Sequence, residues 1–315
     1  MSDPTKTIKT TLRIALDWTP NTIHTGLFLA QFLGLYSSAG LEVHLLPPDP
    51  TYATTPAKQL ESGSADLAIC PSESCIAYAE NGKMGLQAIY AILQRDASAI
   101  FSASLDRMAE LGMGGKVYGS YNARFEDGIV REMVEGDGGR GNGVVIERQK
   151  GKLSLFQAAR MGEVDATWVF VPWEGAEAEL EEGAGKKGRY FRLEDYGIPY
   201  GYSPVIARRV GGNGEVSGDV LRRFVRATRE AYELVSKDVG AGVEALKPFC
   251  RPERSEEFLM KSQASINEFY GDGDGRLGSM NEAKWKTWVE WLEGKKMLEA
   301  GSVKVDSIFT NEFHS

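Results

Sequence analysis

The sequence predicts an α/β protein of two lobes, with a ligand cleft between the lobes and a helical C-terminal region. Along the first two thirds of the chain, short apolar segments typical of buried strands alternate with segments that have helical spacing. Two extended segments are too long for single strands and suit crossovers between lobes. The last third has apolar residues at helical spacing. We expect lobe 1 to comprise residues 9–94 and 204–315, and lobe 2 to comprise residues 95–203.

Composition excludes several classes of protein. The chain has 315 residues, of which 42% are hydrophobic and 25% charged, as in ordinary soluble proteins with room for two domains. The net charge of -8 argues against a nucleic-acid partner. No apolar run is long enough to span a membrane. The three histidines are scattered along the chain, so we expect no metal site built on histidine.

The cysteines and the N-terminus predict a cytoplasmic protein. Cys70, Cys75 and Cys250 are an odd number without close pairing, which is typical of reduced thiols. The first ten residues have no apolar core, so we expect no secretory signal. The sequence leaves the oligomeric state open, with a dimer among the options.

The first strand is predicted over residues 12–16, and a polar loop follows it. Pro20 removes a backbone donor and must end the strand, after which Asn21 or Thr22 can cap a helix. In open α/β sheets, ligands lie just beyond the carboxyl ends of strands. The alternative is that Trp18 packs in the core and Asp17 only forms a turn. We predict these ligand-binding residues in the loop: Asp17, Trp18, Asn21 and His24.

A second loop of this kind follows the third predicted strand. A second strand is predicted over residues 41–46, and the third, residues 65–70, ends at Pro71. Ser72 or Ser74 can cap the next helix, and Glu73 lies in its first turn, where the helix dipole favours a carboxylate. We predict Ser72 and Glu73 as ligand-binding residues. A capping motif without ligand contact is the alternative.

Lobe 2 begins after a fourth strand and carries a glycine-containing loop. A short strand at residues 116–118 precedes this loop, and a helix is predicted over residues 125–134. The glycines match neither a dinucleotide-binding fingerprint nor a P-loop. Backbone N–H groups near a helix start can nevertheless bind a phosphate. If the ring ligand carries a phosphate, we expect it at three residues: Gly119, Ser120 and Tyr121.

The densest aromatic cluster follows a strand predicted over residues 166–171. Flat aromatic side chains commonly sandwich a ring ligand, although core packing is the alternative for Phe170. Tyr202 lies at the start of the second crossover. Tryptophans at positions 285, 288 and 291 have helical spacing and predict packing of a helix. We predict these further ligand-binding residues: Trp168, Trp173, Glu174 and Tyr202.

Four segments together resemble one known family. They are Asp17-Trp-Thr-Pro-Asn-Thr-Ile-His-Thr-Gly-Leu, Gly63-Ser-Ala-Asp-Leu-Ala-Ile, Gly115-Lys-Val-Tyr-Gly-Ser-Tyr and Asp165-Ala-Thr-Trp-Val-Phe-Val-Pro-Trp-Glu-Gly. They are similar to the thiamine-pyrimidine (NMT1/THI5-like) family over about residues 11–205. The family contains transporter components that bind a formylaminopyrimidine and enzymes that make hydroxymethylpyrimidine phosphate. The resemblance implies an SsuA-like periplasmic-binding-protein type II fold.

The resemblance favours the binding branch of the family over the synthase branch. The synthase branch implies a lysine that holds pyridoxal phosphate, a substrate histidine and a cysteine-rich iron motif. Direct counting puts Cys70 and Ser74 at the lysine and histidine positions, and residues 63–81 contain no Lys or His. Residues 196–205 contain no cysteine. A Schiff base requires an amine, so that mechanism does not carry over as it stands.

We therefore expect a cytoplasmic protein that binds a small heteroaromatic ligand related to thiamine biosynthesis, with no catalytic residue assigned, no metal and no cofactor. A thiamine pyrimidine precursor is the first candidate, and a pyridoxal-like ring is the second. One alternative is a divergent hydroxymethylpyrimidine phosphate synthase that uses pyridoxal phosphate and its own histidine, for which His24 is the candidate. Another is the substrate-binding component of an ABC transporter.

Overall fold

The structure is a computed structural model that describes residues 9–49, 52–82, 84–148, 155–180, 188–212 and 214–315. These residues form two compact units. Unit 1 comprises the described residues up to Arg95 together with Tyr202–Glu282 and Val303–Ser315, and unit 2 comprises Asp96–Gly201 and Ala283–Ser302. The segment 283–302, which we expected in lobe 1, therefore belongs to unit 2.

Unit 1 is built on a five-stranded mixed sheet. Its strands, numbered in chain order, are β1 (Thr10–Ala15), β2 (Leu41–Leu46), β3 (Leu67–Cys70), β4 (Gly85–Ala91) and β10 (Val205–Val210). The strand order is β2-β1-β3-β10-β4, and only β10 runs antiparallel to its neighbours. All four residues of β3 are buried, as expected for a central strand covered on both faces. The helices of unit 1 are α1 (Thr25–Phe32), α2 (Leu35–Ser38), α3 (Pro56–Ser62), α4 (Ser72–Asn81), α8 (Gly218–Lys237), α9 (Val239–Leu246), α10 (Glu256–Tyr270) and α12 (Val305–Ile308).

Unit 2 repeats the same sheet topology. Its strands are β5 (Ser98–Ser102), β6 (Val117–Ser120), β7 (Val145–Arg148), β8 (Ala166–Phe170) and β9 (Arg189–Phe191). The order is β7-β6-β8-β5-β9, in which β6 runs parallel to β7 and β8, and β5 runs antiparallel to β8 and β9. The helices are α5 (Glu126–Gly136), α6 (Leu155–Met161), α7 (Ala176–Leu180) and α11 (Glu282–Gly294), of which α11 begins at the last residue of a unit 1 segment.

In both units, an aspartate before a central strand makes the same pair of hydrogen bonds to the neighbouring strand. Asp66 precedes β3, donates its N–H to the Arg13 carbonyl and accepts the Arg13 N–H, each at 2.8 Å. Asp165 precedes β8 and exchanges the same two bonds with Val117, each at 2.8 Å. Burial alone would raise the pKa of both carboxyls, but these bonds and the adjacent Arg13 and Lys116 cations lower it. Because β1 pairs in parallel with β2 and β3, and β6 with β7 and β8, the carboxyl ends of these strands lie at one edge of each sheet.

Helices α8 and α10 hold the segment that follows β1. Tyr232, on α8, donates its hydroxyl to the Ile23 carbonyl at 2.7 Å. Tyr270, at the end of α10, donates to the Thr22 carbonyl at 2.6 Å, and Ser262 bonds the Thr22 hydroxyl at 2.8 Å. All five residues are buried. Helices α8 and α10 thus hold the segment Thr22–Ile23, which follows the first polar loop, through buried hydrogen bonds.

Helix α11 packs through its tryptophans, as its spacing predicts. Trp285 and Trp288 are fully buried, and Trp291 stacks on Trp288 with ring centroids 5.4 Å apart. None of the described helices combines the length and apolar character that crossing a membrane requires.

Candidate ligand-binding site

The loop after β1 presents a carboxylate that is fixed by a buried histidine. The Asn21 N–H points at His24 Nδ1, 3.3 Å away, so Nδ1 accepts and the ring hydrogen lies on Nε2. His24 Nε2 then donates to Asp17 Oδ1 at 2.8 Å. The Asp17 side chain is 23% exposed, whereas that of His24 is fully buried. Asp17 can therefore meet a ligand, and His24 orients it.

Asn21 has a structural role in the same loop. Its Oδ1 accepts the Ile23 N–H at 2.9 Å, and its amide nitrogen donates to the Thr19 carbonyl at 3.0 Å. It is the N-cap of the short 3₁₀ helix Thr22–His24, as the capping prediction requires. With both ends of its amide bound and its surface buried, Asn21 supports the loop that carries Asp17.

Trp18 lies against a second aromatic ring that the sequence analysis missed. The rings of Trp18 and Tyr52 are 4.7 Å apart between centroids and tilted by 43°. The Tyr52 hydroxyl accepts the Thr19 N–H at 3.3 Å, which ties this ring to the β1 loop. Burial raises the pKa of Tyr52. The loop containing Tyr52 follows β2, the sheet neighbour of β1, so the parallel topology was the signal that could have found it.

The loop after β3 lies at the same edge of the sheet, because β3 pairs in parallel with β1. Pro71, not Ser72 or Ser74, occupies the N-cap position of α4, so the capping prediction is wrong. Ser72 is the first helical residue and donates its N–H to the Tyr202 carbonyl at 3.0 Å. Ser72 and Glu73 are both buried, so the first turn of α4 lies inside the protein.

Two buried thiols lie beside this turn. Cys70 ends β3 and Cys75 lies in α4, and both are free and buried. A hydrogen bond with Cys75 and burial raise the pKa of the Cys70 thiol, so it is protonated at neutral pH. The charge of Asp17 contributes to this rise in pKa. The position at which the synthase branch has a lysine therefore holds a neutral, weakly reactive thiol.

Tyr202 is buried and contacts two segments of unit 1. Its carbonyl accepts from Ser72, and its hydroxyl accepts the Asn281 N–H at 2.8 Å. Burial raises the pKa of its phenol. Tyr202 thus connects the start of α4 to the segment that precedes α11.

In unit 2, the loop after β8 carries the predicted aromatic and acidic residues. Trp168 is half-buried in β8, with its ring 5.5 Å from that of Tyr200. Trp173 and Glu174 lie in a single π-helical turn, Val171–Gly175. Glu174 Oε2 accepts the Phe170 N–H at 2.8 Å, and Trp173 is buried. The segment Pro172-Trp173-Glu174 follows β8 in the same way as Pro71-Ser72-Glu73 follows β3: each begins with a proline and has a glutamate two residues later.

The glycine-containing loop after β6 lies next to this turn. Gly119 is a strand residue, and its carbonyl accepts the Thr167 hydroxyl at 2.8 Å. Ser120 donates its hydroxyl to Asp127 at 2.7 Å. The loops after β6 and β8 are adjacent, because these two strands pair in parallel. Burial and the charge of Glu174 raise the pKa of Tyr121. No group of three or more His, Cys, Asp or Glu residues in the described ranges could hold a metal ion.

The two units with their strand-end loops define the fold class of this chain, an α/β fold with two mixed sheets. The alkanesulfonate-binding protein SsuA from Xanthomonas axonopodis pv. citri has a TM-score of 0.67 to this chain at 15% identity. The match covers 98% of this chain and 99% of that chain. At this identity the likeness shows the fold alone, and it confirms the predicted periplasmic-binding-protein fold.

The chain belongs to the NMT1/THI5-like family, whose profile matches residues 21–238. The family predicted from the sequence motifs is therefore confirmed. A formylaminopyrimidine-binding protein from Halalkalibacterium halodurans is 25% identical over 304 residues, which cover 94% of this chain and 89% of that protein. A putative thiamine biosynthesis protein from Haemophilus influenzae is 25% identical over 226 residues, covering 71% of this chain and 68% of that protein.

Proposed function

We propose that this protein binds a small nitrogen heteroaromatic molecule, a thiamine pyrimidine precursor, at the loop after β1. The observation that carries the proposal is the Asp17 carboxylate, held by His24 in the loop that also carries Trp18, whose ring packs against Tyr52 from the loop after β2. The relative from Halalkalibacterium halodurans, named for binding formylaminopyrimidine, supports this ligand class.

The chemistry of the loop suits an aminopyrimidine. Asp17 Oδ1 is bound to His24, and among the described residues Oδ2 has no hydrogen-bonding partner. A carboxylate oxygen in this position accepts from an amino group or a protonated ring nitrogen. The Trp18 ring supplies a flat apolar face for the heterocycle. Charge pairing and stacking together select a flat, electron-poor ring with N–H donors.

Isothermal titration tests the proposal with three ligands: hydroxymethylpyrimidine, formylaminopyrimidine and pyridoxal phosphate. We expect saturable binding of a pyrimidine. Trp18→Ala should weaken it at least about fivefold, because an aromatic contact contributes about 1 kcal/mol. Trp291→Ala, which removes a half-buried tryptophan of α11, is the matched control and should leave the affinity unchanged. If none of the three ligands binds, the proposal is wrong.

The same chemistry fits the substrate-binding component of a transporter. Both the SsuA structure and the formylaminopyrimidine-binding relative are binding proteins by name, which favours this second candidate. Cell fractionation with an antibody to the native protein separates the candidates. Cytoplasmic recovery supports the predicted location, and recovery outside the cytoplasm supports the transporter role. The cytoplasmic location stays a prediction.

The synthase alternative has no residue in the described site that favours it. Cys70 cannot form a Schiff base, and the candidate histidine, His24, is buried with both ring nitrogens bound. We expect no imine absorbance after mixing with pyridoxal phosphate, and an intact His24 by mass spectrometry. An imine band or a modified His24 would revive the synthase hypothesis.

A further inference from the structure

The Asp17 carboxylate and its histidine partner together carry one negative charge. His24 Nδ1 accepts the Asn21 N–H, so a second ring hydrogen on Nδ1 would face a donor. Protonation of the fully buried His24 ring would therefore break this bond, which is one half of the capping box around the Thr22–His24 turn. The structure thus has the neutral ring, whose Nε2 hydrogen is donated to Asp17 Oδ1.

No cation among the described residues offsets this charge. Within that part of the chain, His24 is the only basic side chain paired with Asp17. The charge of Asp17 acts on three titratable side chains of unit 1. Burial raises the pKa of Tyr52 and Tyr232, a hydrogen bond with another thiol and burial raise that of Cys70, and the charge of Asp17 adds to each rise in pKa. All three side chains are therefore neutral at neutral pH, and the carboxylate keeps its charge unbalanced.

The aromatic rings beside the carboxylate also favour a positive charge. Trp18 follows Asp17 directly, and its ring centroid lies 4.7 Å from that of Tyr52. The Tyr52 hydroxyl accepts the N–H of Thr19, the next residue of the same loop. Asp17, Trp18 and Tyr52 are all partly exposed to solvent. Because the face of an aromatic ring is negative and attracts cations, a carboxylate with these rings suits a flat cation better than a neutral ring.

We propose that the site after β1 binds its ring as a cation, a protonated aminopyrimidine or another flat amidinium, and that a neutral aminopyrimidine takes up one proton from solvent when it binds. The proton is added to a ring nitrogen, and the new N–H donates to Asp17 Oδ2. The identity of the ring rests on the proposed function, whereas the preference for a cation does not. Anionic rings such as pyridoxal phosphate are disfavoured by the same carboxylate.

The first experiment tests the cation preference without a pyrimidine. Benzamidine is a flat amidinium cation, and benzamide is its neutral counterpart of nearly the same shape. In isothermal titration, we expect wild type to bind benzamidine at least about tenfold more tightly, because charge-assisted hydrogen bonds are the stronger ones. Asp17→Asn should lose this preference, and Asp106→Asn, at an exposed ion pair of unit 2, should keep it. A wild type that binds benzamidine no better than benzamide, or a preference that survives in Asp17→Asn, overturns the proposal.

The second experiment counts the protons taken up with hydroxymethylpyrimidine. Titrations are made above the pKa of the free ring, in buffers that differ in ionisation enthalpy, so that the heat reports proton uptake. We expect uptake of about one proton, and an affinity that falls about tenfold for each further pH unit. Benzamidine, which is already a cation, is the control and should take up none.

The outcomes of the second experiment separate the two proposals. Hydroxymethylpyrimidine that binds under these conditions without proton uptake contradicts binding as a cation, although the proposed function would stand. If hydroxymethylpyrimidine does not bind at any pH, the proposed function fails, and the comparison of benzamidine with benzamide alone decides whether the site after β1 selects a cation.

Discussion

Removing the Tyr270 hydroxyl should release the loop that carries Asp17. Tyr270 donates to the Thr22 carbonyl at 2.6 Å and accepts from Gln263 Nε2 at 3.0 Å, and it is 1% exposed. In Tyr270→Phe, the Thr22 carbonyl still accepts the Thr25 backbone N–H. One N–H of Gln263 is left without a partner. A lost hydrogen bond and one buried orphan donor, each worth about 1 kcal/mol, predict a destabilisation of about 2 kcal/mol.

Urea denaturation, followed by circular dichroism, measures this change. Tyr78→Phe is the matched control, because the Tyr78 hydroxyl bonds Glu61 at an exposed position, where less than about 0.5 kcal/mol is expected. We also expect pyrimidine affinity to fall in Tyr270→Phe and not in the control. Equal stabilities of the two variants would refute the view that the C-terminal helices hold the site loop.

Two further changes test packing and electrostatics. Gly26→Ala, in α1, puts a Cβ 2.4 Å from the Tyr232 ring, so calorimetry should show destabilisation by about 1–3 kcal/mol. Gly294→Ala is the control, because a Cβ at this position has no atom within 4 Å. This control variant should be as stable as wild type or more stable. Asp165 has a pKa lowered below its unfolded value of 3.8, so its stabilisation is present above that value and is lost as the pH falls below about 4. Asp165→Asn should therefore be less stable at neutral pH, and its free energy of unfolding should fall less steeply between pH 7 and pH 2. An unchanged pH dependence would contradict a stabilising role of the Asp165 carboxylate.

Local sequence signals predicted the strand ends well. The apolar run before Asp17 and the breaks at Pro20 and Pro71 placed two loops at one sheet edge, because proline and strand periodicity act locally. The family motifs predicted the fold class, because each motif is a short continuous segment that can be recognised in the sequence. The assignments within the loops were less accurate. Pro71 occupies the N-cap position of α4. Both ring nitrogens of His24 are hydrogen-bonded within the loop, to the Asn21 N–H and to Asp17.

Two of the missed features depend on contacts between distant parts of the chain, and the third depends on how one loop folds. Tyr52 reaches the Trp18 ring from a loop with no apolar periodicity, and its backbone is left-handed, with φ of 52°. The spacing of Trp285 and Trp288 predicts a buried helix face, but spacing does not specify which unit covers it. Glu126 likewise has the pattern of an ordinary helix start. Only the fold shows that its carboxylate accepts the Tyr121 N–H in the loop after β6, at 3.0 Å.

The most direct test is ligand titration of Asp17→Asn. The amide keeps the shape and can still accept from His24 through Oδ1, but it replaces the free carboxylate oxygen with a donor. We expect pyrimidine affinity to fall by about 100-fold, with the melting temperature little changed, because a charge-assisted bond is worth about 1.5–3 kcal/mol. Asp106→Asn, at an exposed ion pair of unit 2, is the control and should bind as wild type does. Undiminished affinity in Asp17→Asn would contradict the claim that this carboxylate binds the ring.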